Sequence, residues 1–156
     1  MIRATVPEDT PPLLTISEGT GVFSVADVVA LREVLDDYHA EAKDYGHRSV
    51  TYEQEGQVIG FAYFAPASMT DRTWELWWIV VSKQIQAKGV GGHLLRHVED
   101  AIRKESGRLL ILDTSSLPTY DLTRRFYLKH GYEVAAVIKD FYADGHDKVI
   151  YAKRME

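Results

Sequence analysis

The chain has 156 residues, enough for one domain, and its 46% apolar content with 17 aromatic side chains argues for a packed core and against disorder. It contains no cysteine, which excludes disulfides, thiolate metal sites and cysteine nucleophiles. The formal charge of −5 disfavours nucleic-acid binding and is uneven: residues 1–81 carry 5 basic against 13 acidic side chains, and residues 82–156 carry 13 against 10. An anionic ligand suits the second half and a cationic one the first, unless the asymmetry is only solvated surface.

The start, MIRATVPEDT, lacks the basic and then apolar pattern of a signal peptide, and no apolar run nears the roughly 18 residues of a membrane span. A cytoplasmic protein without a membrane partner is the expectation. In PEDTPPLL, Pro11 and Pro12 open a short helix. SVADVVALREVLDDYHAEA reads as an amphipathic helix capped by Ser24, with Val25, Val28, Val29, Leu31, Val34 and Leu35 as its apolar stripe. RSVTYEQEGQVIGFAYFAP forms a hairpin about Glu55-Gly56, and TWELWWIVV at 73–81 a third strand. HLLRHVEDAIRKESG keeps Leu94, Leu95, Val98, Ala101 and Ile102 on one helical face and closes at Gly107. RLLILDTSS is a buried strand, TYDLTRRFYLKHGY a helix ending at Gly131, and the remainder two long strands about Asp144-Gly145. Residues 1–156 thus form one domain of α/β (α+β) class, a mixed sheet flanked by helices.

Between the third strand and the helix that follows stands QAKGVGG. A helix N-terminus has unpartnered amides and a partial positive charge, so glycines at 89, 91 and 92 let an anion approach the main chain, with Lys88 adding charge. The alternative is a turn that is only structural. A dinucleotide fingerprint needs glycine where Leu94 stands, and a P-loop needs lysine where His93 stands, so neither motif is present.

Gln86-x-x-Gly89-x-Gly91, placed after a strand and opening a helix, resembles the acyl-coenzyme-A signature of the GNAT superfamily of N-acyltransferases. The order of strands and helices over residues 48–154 and the RRFYLKHGY element resemble that family too. The resemblance implies a mostly antiparallel sheet with a splayed parallel strand pair at the acyl-coenzyme-A site, and acetyl-coenzyme A as cosubstrate. It also implies that the amides of Ala87, Lys88, Gly89, Val90, Gly91 and Gly92 cradle the pyrophosphate, with Gln86 at the head of the signature as a further cofactor-binding residue. The main chain of Ile79, Val80 and Val81 would pair with the pantetheine arm and supply the oxyanion contact. The family's asparagine seven residues before the tyrosine is replaced here by Tyr120, so Tyr120 or Thr114 is expected to take over its contact.

Acyl transfer to an amine needs a neutral amine, a stabilised oxyanion and a proton for the departing thiolate. Glu75 corresponds to the family's catalytic glutamate, with a solvent-facing strand glutamate as the competing role. Tyr127 corresponds to the tyrosine that meets the coenzyme-A sulfur, with core packing as the competing role. Arg124 and Arg125 reach the 3′-phosphate or lie on a solvated helix face. No metal is expected, since His93, His97 and Asp100 lack a further clear ligand. Among Phe61, Tyr63, Phe64, Trp74, Trp77 and Trp78, part must be core and part can line an acceptor pocket. The expected activity is acetyl transfer to a primary amine of a small molecule, peptide or protein. A noncatalytic acyl-coenzyme-A-binding module is the alternative. A homodimer is a further expectation, because exposed strand edges are often covered by a partner.

Overall fold

The computed structural model describes residues 1–85 and 89–156. Seven strands form a sheet in the order β1-β2-β3-β4-β5-β7-β6, with β1 Ile2–Ala4, β2 Arg48–Gln54, β3 Gln57–Pro66, β4 Thr73–Val81, β5 Leu109–Ser115, β6 Glu133–Ala143 and β7 His146–Arg154. Every ladder is antiparallel except β4 with β5. The hairpins turn at Glu55-Gly56 and Asp144-Gly145, where Gly56 and Gly145 take positive φ. β1 was not foreseen, because three residues are too short to show a period. It is held by Arg3, which grips Asp9 through two hydrogen bonds of 2.8 and 2.9 Å.

Four helices flank the sheet: α1 Thr10–Gly19, α2 Val25–Ala40, α3 Val90–Lys104 and α4 Asp121–Lys129. None of the helices among the described residues is long and apolar enough to cross a membrane. Leu13 and Leu14 of α1 and Leu31, Leu35 and Tyr38 of α2 pack with Phe61, Tyr63 and Val80 on one face. Leu94, Leu95, Val98 and Ile102 of α3 pack with Phe64, Trp74 and Leu76 on the other. Each such leucine removed from water contributes about 2 kcal/mol.

Ser24 caps α2 as expected, its hydroxyl accepting from the Asp27 amide at 3.1 Å while the Asp27 carboxylate accepts from the Ser24 amide at 2.8 Å. The expected stripe needs correction at its start. Val25 and Val29 are exposed, because at 100° per residue they lie well round the helix from Leu31, Leu35 and the unforeseen Tyr38. The strand β6 is exposed along its whole length, as the outer edge of the sheet.

The feature that creates a site is the divergence of β4 from β5. Their pairing covers only Thr73–Leu109, Trp74–Leu110 and Glu75–Ile111. On its other side β4 stays with β3, but the register steps from Tyr63↔Trp78 to Phe64↔Leu76, so Trp77 is an extra residue. Such a bulge bends its strand and sharpens its twist, and here it falls where β4 leaves β5.

Candidate active site

Two cavities open at this divergence. The larger, about 770 Å³, is lined from the α1–α2 loop by Val22 and Phe23, from the first turn of α2 by Asp27, from β4 by residues 77–81, from β5 by Asp113, Thr114 and Ser115, and beyond it by Tyr120, Tyr127 and Tyr142. The second, about 650 Å³, runs over the start of α3 and along α4, lined by Gly89, Gly91, Gly92, His93, Arg96, Phe126, Lys129 and His130. Ile79, Val81, Leu122, Thr123 and Tyr127 line both, so the two meet across the splayed end of β4.

The glycine cleft is built by main chain. Gly89 adopts φ +76°, a left-handed conformation, and no side chain caps α3 there. The amides of the first turn are thus directed at the cleft, where an anion would satisfy them. A Cβ on Gly91 would lie 3.3 Å from the Phe126 ring and 3.7 Å from Val81, so glycine lets α3 start close against α4 and β4. Ala87 and Lys88, expected to share the cradle, and Gln86, expected to bind the cofactor beside it, lie outside the described residues. Val90 points into the core, 3% exposed.

Three basic side chains that the sequence reading passed over, Arg96, Lys129 and His130, line the cleft together with His93, which it weighed only as a metal ligand. Burial, followed by the charges of Lys129 and Arg96, holds the His130 imidazole below its ordinary value. Their spacing carried the signal. Phe126, Lys129 and His130 stand at i, i+3 and i+4 on α4, and Gly92 and Arg96 at i and i+4 on α3.

Tyr127 is 5% exposed, packed against Phe126, Tyr132 and Tyr151, and still lines both cavities. Packing and chemistry are therefore not alternatives for this side chain. Burial pushes its phenol above the ordinary value, with Asp113 and Tyr151 adding to the effect. It stays protonated at neutral pH and available as a donor.

The remaining expected site residues divide. Ile79 lines both cavities and Val80 the larger, in the stretch of β4 that has left β5. Thr114 and Tyr120 line the larger cavity and not the glycine cleft. The Tyr120 hydroxyl donates to the Val22 carbonyl at 3.0 Å and so ties the α1–α2 loop over that cavity. Glu75 sits just before the divergence, still in register with Ile111, and lines neither cavity. Arg124 donates to the carbonyls of Ser115 and Leu117 at 2.6 and 2.8 Å, fixing the β5–α4 loop, and Arg125 is exposed and paired with Asp121 at 3.1 Å.

Asp113 was missed. It projects from β5 into the larger cavity, accepts from the Tyr142 hydroxyl at 3.2 Å and has Lys148 Nζ at 3.8 Å. Burial, then Asp113, pushes the Tyr142 phenol up to about 12. Of the aromatic set, Phe61, Tyr63, Phe64 and Trp74 are core, and Trp77 and Trp78 line the cavity. Among the described residues no group of three or more histidine or carboxylate side chains is arranged to hold a metal ion.

The family model described as an acetyltransferase (GNAT) domain matches residues 46–134. Among solved structures, the chain is similar to a protein assigned as an acetyltransferase of the GNAT family from Desulfovibrio desulfuricans. That pair shares 32% identity with a TM-score of 0.95, over 100% of this chain and 99% of the other. The fold is also similar to that of the ribosomal-protein-S18-alanine N-acetyltransferase from Escherichia coli, at 19% identity and TM-score 0.81, over 100% and 94% of the two chains. For yncA of Salmonella typhimurium, solved with its cofactor acetyl-CoA, the values are 18% and 0.77, over 100% and 94%. No curated protein sequence matches the chain.

Proposed function

From the premise that the chain belongs to the GNAT family of acetyltransferases, we propose that it transfers an acetyl group from acetyl-coenzyme A directly to a primary amine. The observation that carries this reading is the meeting of the glycine cleft with a second, separate cavity at Tyr127. In the reaction the amine nitrogen bonds to the acetyl carbon and the carbon–sulfur bond breaks. An ammonium acceptor gives up two protons, one of which ends on sulfur and the other in solvent. Acetyl-coenzyme A supplies the activated acyl group and, in its phosphates, the anions that suit the glycine cleft.

The first-turn amides of α3, with Arg96 and Lys129 beside them, take the phosphates. The splayed main chain of β4 about Ile79 pairs with the extended pantetheine arm as a missing strand would, and the main chain at that end of β4 faces the developing oxyanion, while the Val80 amide, in register with Phe61, is turned toward β3. Tyr127 stands at the sulfur. A thiol ordinarily titrates near 8.5 and a phenol near 10, and burial raises Tyr127 further, so complete proton transfer to the thiolate is uphill by more than about 2 kcal/mol. Tyr127 therefore acts chiefly by donating a hydrogen bond to the sulfur as charge develops there.

Amines of pKa near 10 arrive protonated, so the first proton must leave before attack. Glu75, which lines neither cavity, would receive it through water. The function is tested by following coenzyme-A release and product mass with acetyl-coenzyme A and a panel of primary amines. Acetylated amine with stoichiometric free thiol supports it. Tight binding of acetyl-coenzyme A with no transfer to any amine rejects it in favour of a binding module.

A further inference from the structure

Besides Tyr127, five aromatic rings from four segments line the larger cavity: Phe23, the β4 neighbours Trp77 and Trp78, Tyr120 and Tyr142. Trp77 is 44% and Tyr142 48% exposed, a large apolar area for a concave site to leave in water. Phe23 and Trp78 lie with ring centroids 5.4 Å apart at 56°, forming a wall and floor and leaving room between the rings and β5. The bulge at Trp77 is what turns that indole out of the core, and behind it His47 and Tyr63 hold it, with ring centroids 5.0 and 5.3 Å away.

The charges of the lining are equally restrictive. Asp27 is committed to the Ser24 amide at the start of α2. Asp113 is half-exposed, with one neutral donor, Tyr142, and a lysine no closer than 3.8 Å. Lys83 and His146 complete the charged or titratable lining. The site thus offers one carboxylate for a cation, and Lys83 opposes a second. The same carboxylate repels an acceptor that carries its own carboxylate next to the amine.

Taking the acetyl transfer above as its premise, we infer that the acceptor is a monoamine whose ammonium sits one or two carbons from an aromatic or similarly flat apolar body. The ammonium is positioned by Asp113 beside the Tyr142 ring, where a cation also gains from the aromatic face. The body stacks among Trp77, Trp78 and Phe23, under the loop that Tyr120 ties down through the Val22 carbonyl. This arrangement disfavours polyamines, which need several carboxylates, and α-amino acids, which bring an anion to Asp113.

The test compares kcat/KM for 2-phenylethylamine, tyramine and tryptamine with that for n-butylamine, spermidine, an aminoglycoside, phenylalanine and an alanine-initiated hexapeptide, all with acetyl-coenzyme A. The arylalkylamines should exceed n-butylamine roughly tenfold or more, as expected when an apolar pocket is filled by a larger complementary group. Asp113→Asn should raise their KM by about tenfold while the dissociation constant of acetyl-coenzyme A, measured by calorimetry, stays unchanged, and Asp113→Glu should restore part of the loss. Preference for spermidine, the aminoglycoside, phenylalanine or the peptide overturns this inference and leaves the acetyl-transfer reading standing. Transfer to none of the amines overturns both. Equal rates for n-butylamine and the arylalkylamines overturn the role of the rings alone.

Discussion

The two cavities that meet at Tyr127 are made of different material. The glycine cleft is centred on one short stretch, Gly89 to His93 at the start of α3, closed by β4 and α4, and its working groups are main-chain amides with basic side chains from α3 and the end of α4 beside them. The larger cavity draws its lining from the α1–α2 loop, the start of α2, β4, β5, the β5–α4 loop, α4, β6 and the start of β7, and its working groups are side chains. A site built on main chain constrains residue type through geometry, because glycine permits φ +76° without strain and a Cβ at Gly91 would crowd the Phe126 ring. A site built on side chains from many separate segments leaves each residue free to vary with the ligand. On the proposed reading the cleft serves the cosubstrate and the larger cavity the acceptor.

The largest expected effect falls where the two regions join. Tyr127→Phe removes the hydrogen bond to sulfur and should lower kcat about 100-fold with little change in the dissociation constant of acetyl-coenzyme A. A fall in affinity instead of kcat would make Tyr127 part of the cleft alone. Next comes the cleft's main chain: Gly91→Val forces atoms against Phe126, an overpacking cost to the fold of about 2 kcal/mol, and by displacing the start of α3 from α4 it should weaken acetyl-coenzyme-A binding. Equilibrium binding to the folded variant decides it, and unaltered affinity would mean that the close approach of α3 to α4 has no bearing on the ligand.

Arg96→Ala should cost about tenfold in the same affinity, with a shallower dependence on salt than the parent, since the lost contact is a charge on phosphate. If the salt dependence is unaltered, Arg96 is not at the phosphates. The smallest effect is in pH. His130 in the free protein sits below its usual value of about 6.5, and a bound phosphate favours its protonated form, so the complex takes up protons. Acetyl-coenzyme-A affinity should then rise roughly threefold as pH falls from 7.5 toward 6, and His130→Gln should flatten that slope. A slope of the opposite sign would place His130 away from the anion.

The same contrast governs what could be read from the sequence. The strand order, the hairpins and the cap at Ser24 follow from local patterns of two, three and a half, or four residues, and the glycine turn follows from one contiguous stretch. Tyr127 was legible through its neighbours in RRFYLKHGY. Arg96, Lys129 and His130 were within reach, since Arg96 follows Gly92, and Lys129 and His130 follow Phe126, at helical spacing. Asp113 and Tyr142 were not, because they stand apart by 29 residues and meet only when β5, β7 and β6 pair. The exposure of Trp77, against the burial of Trp74 three residues earlier, depends on a bulge that shifts the alternation of β4 midway, and no composition rule marks its position.

The most direct test of the account is a thermal-shift titration with acetyl-coenzyme A, coenzyme A, NAD and ATP in parallel. Ligand at about 100 times its dissociation constant stabilises a fold by about 2.7 kcal/mol, a readily measured shift. Stabilisation by the two coenzyme-A compounds alone is the predicted result. No shift with either of them, or an equal shift with NAD or ATP, would contradict the assignment of the glycine cleft.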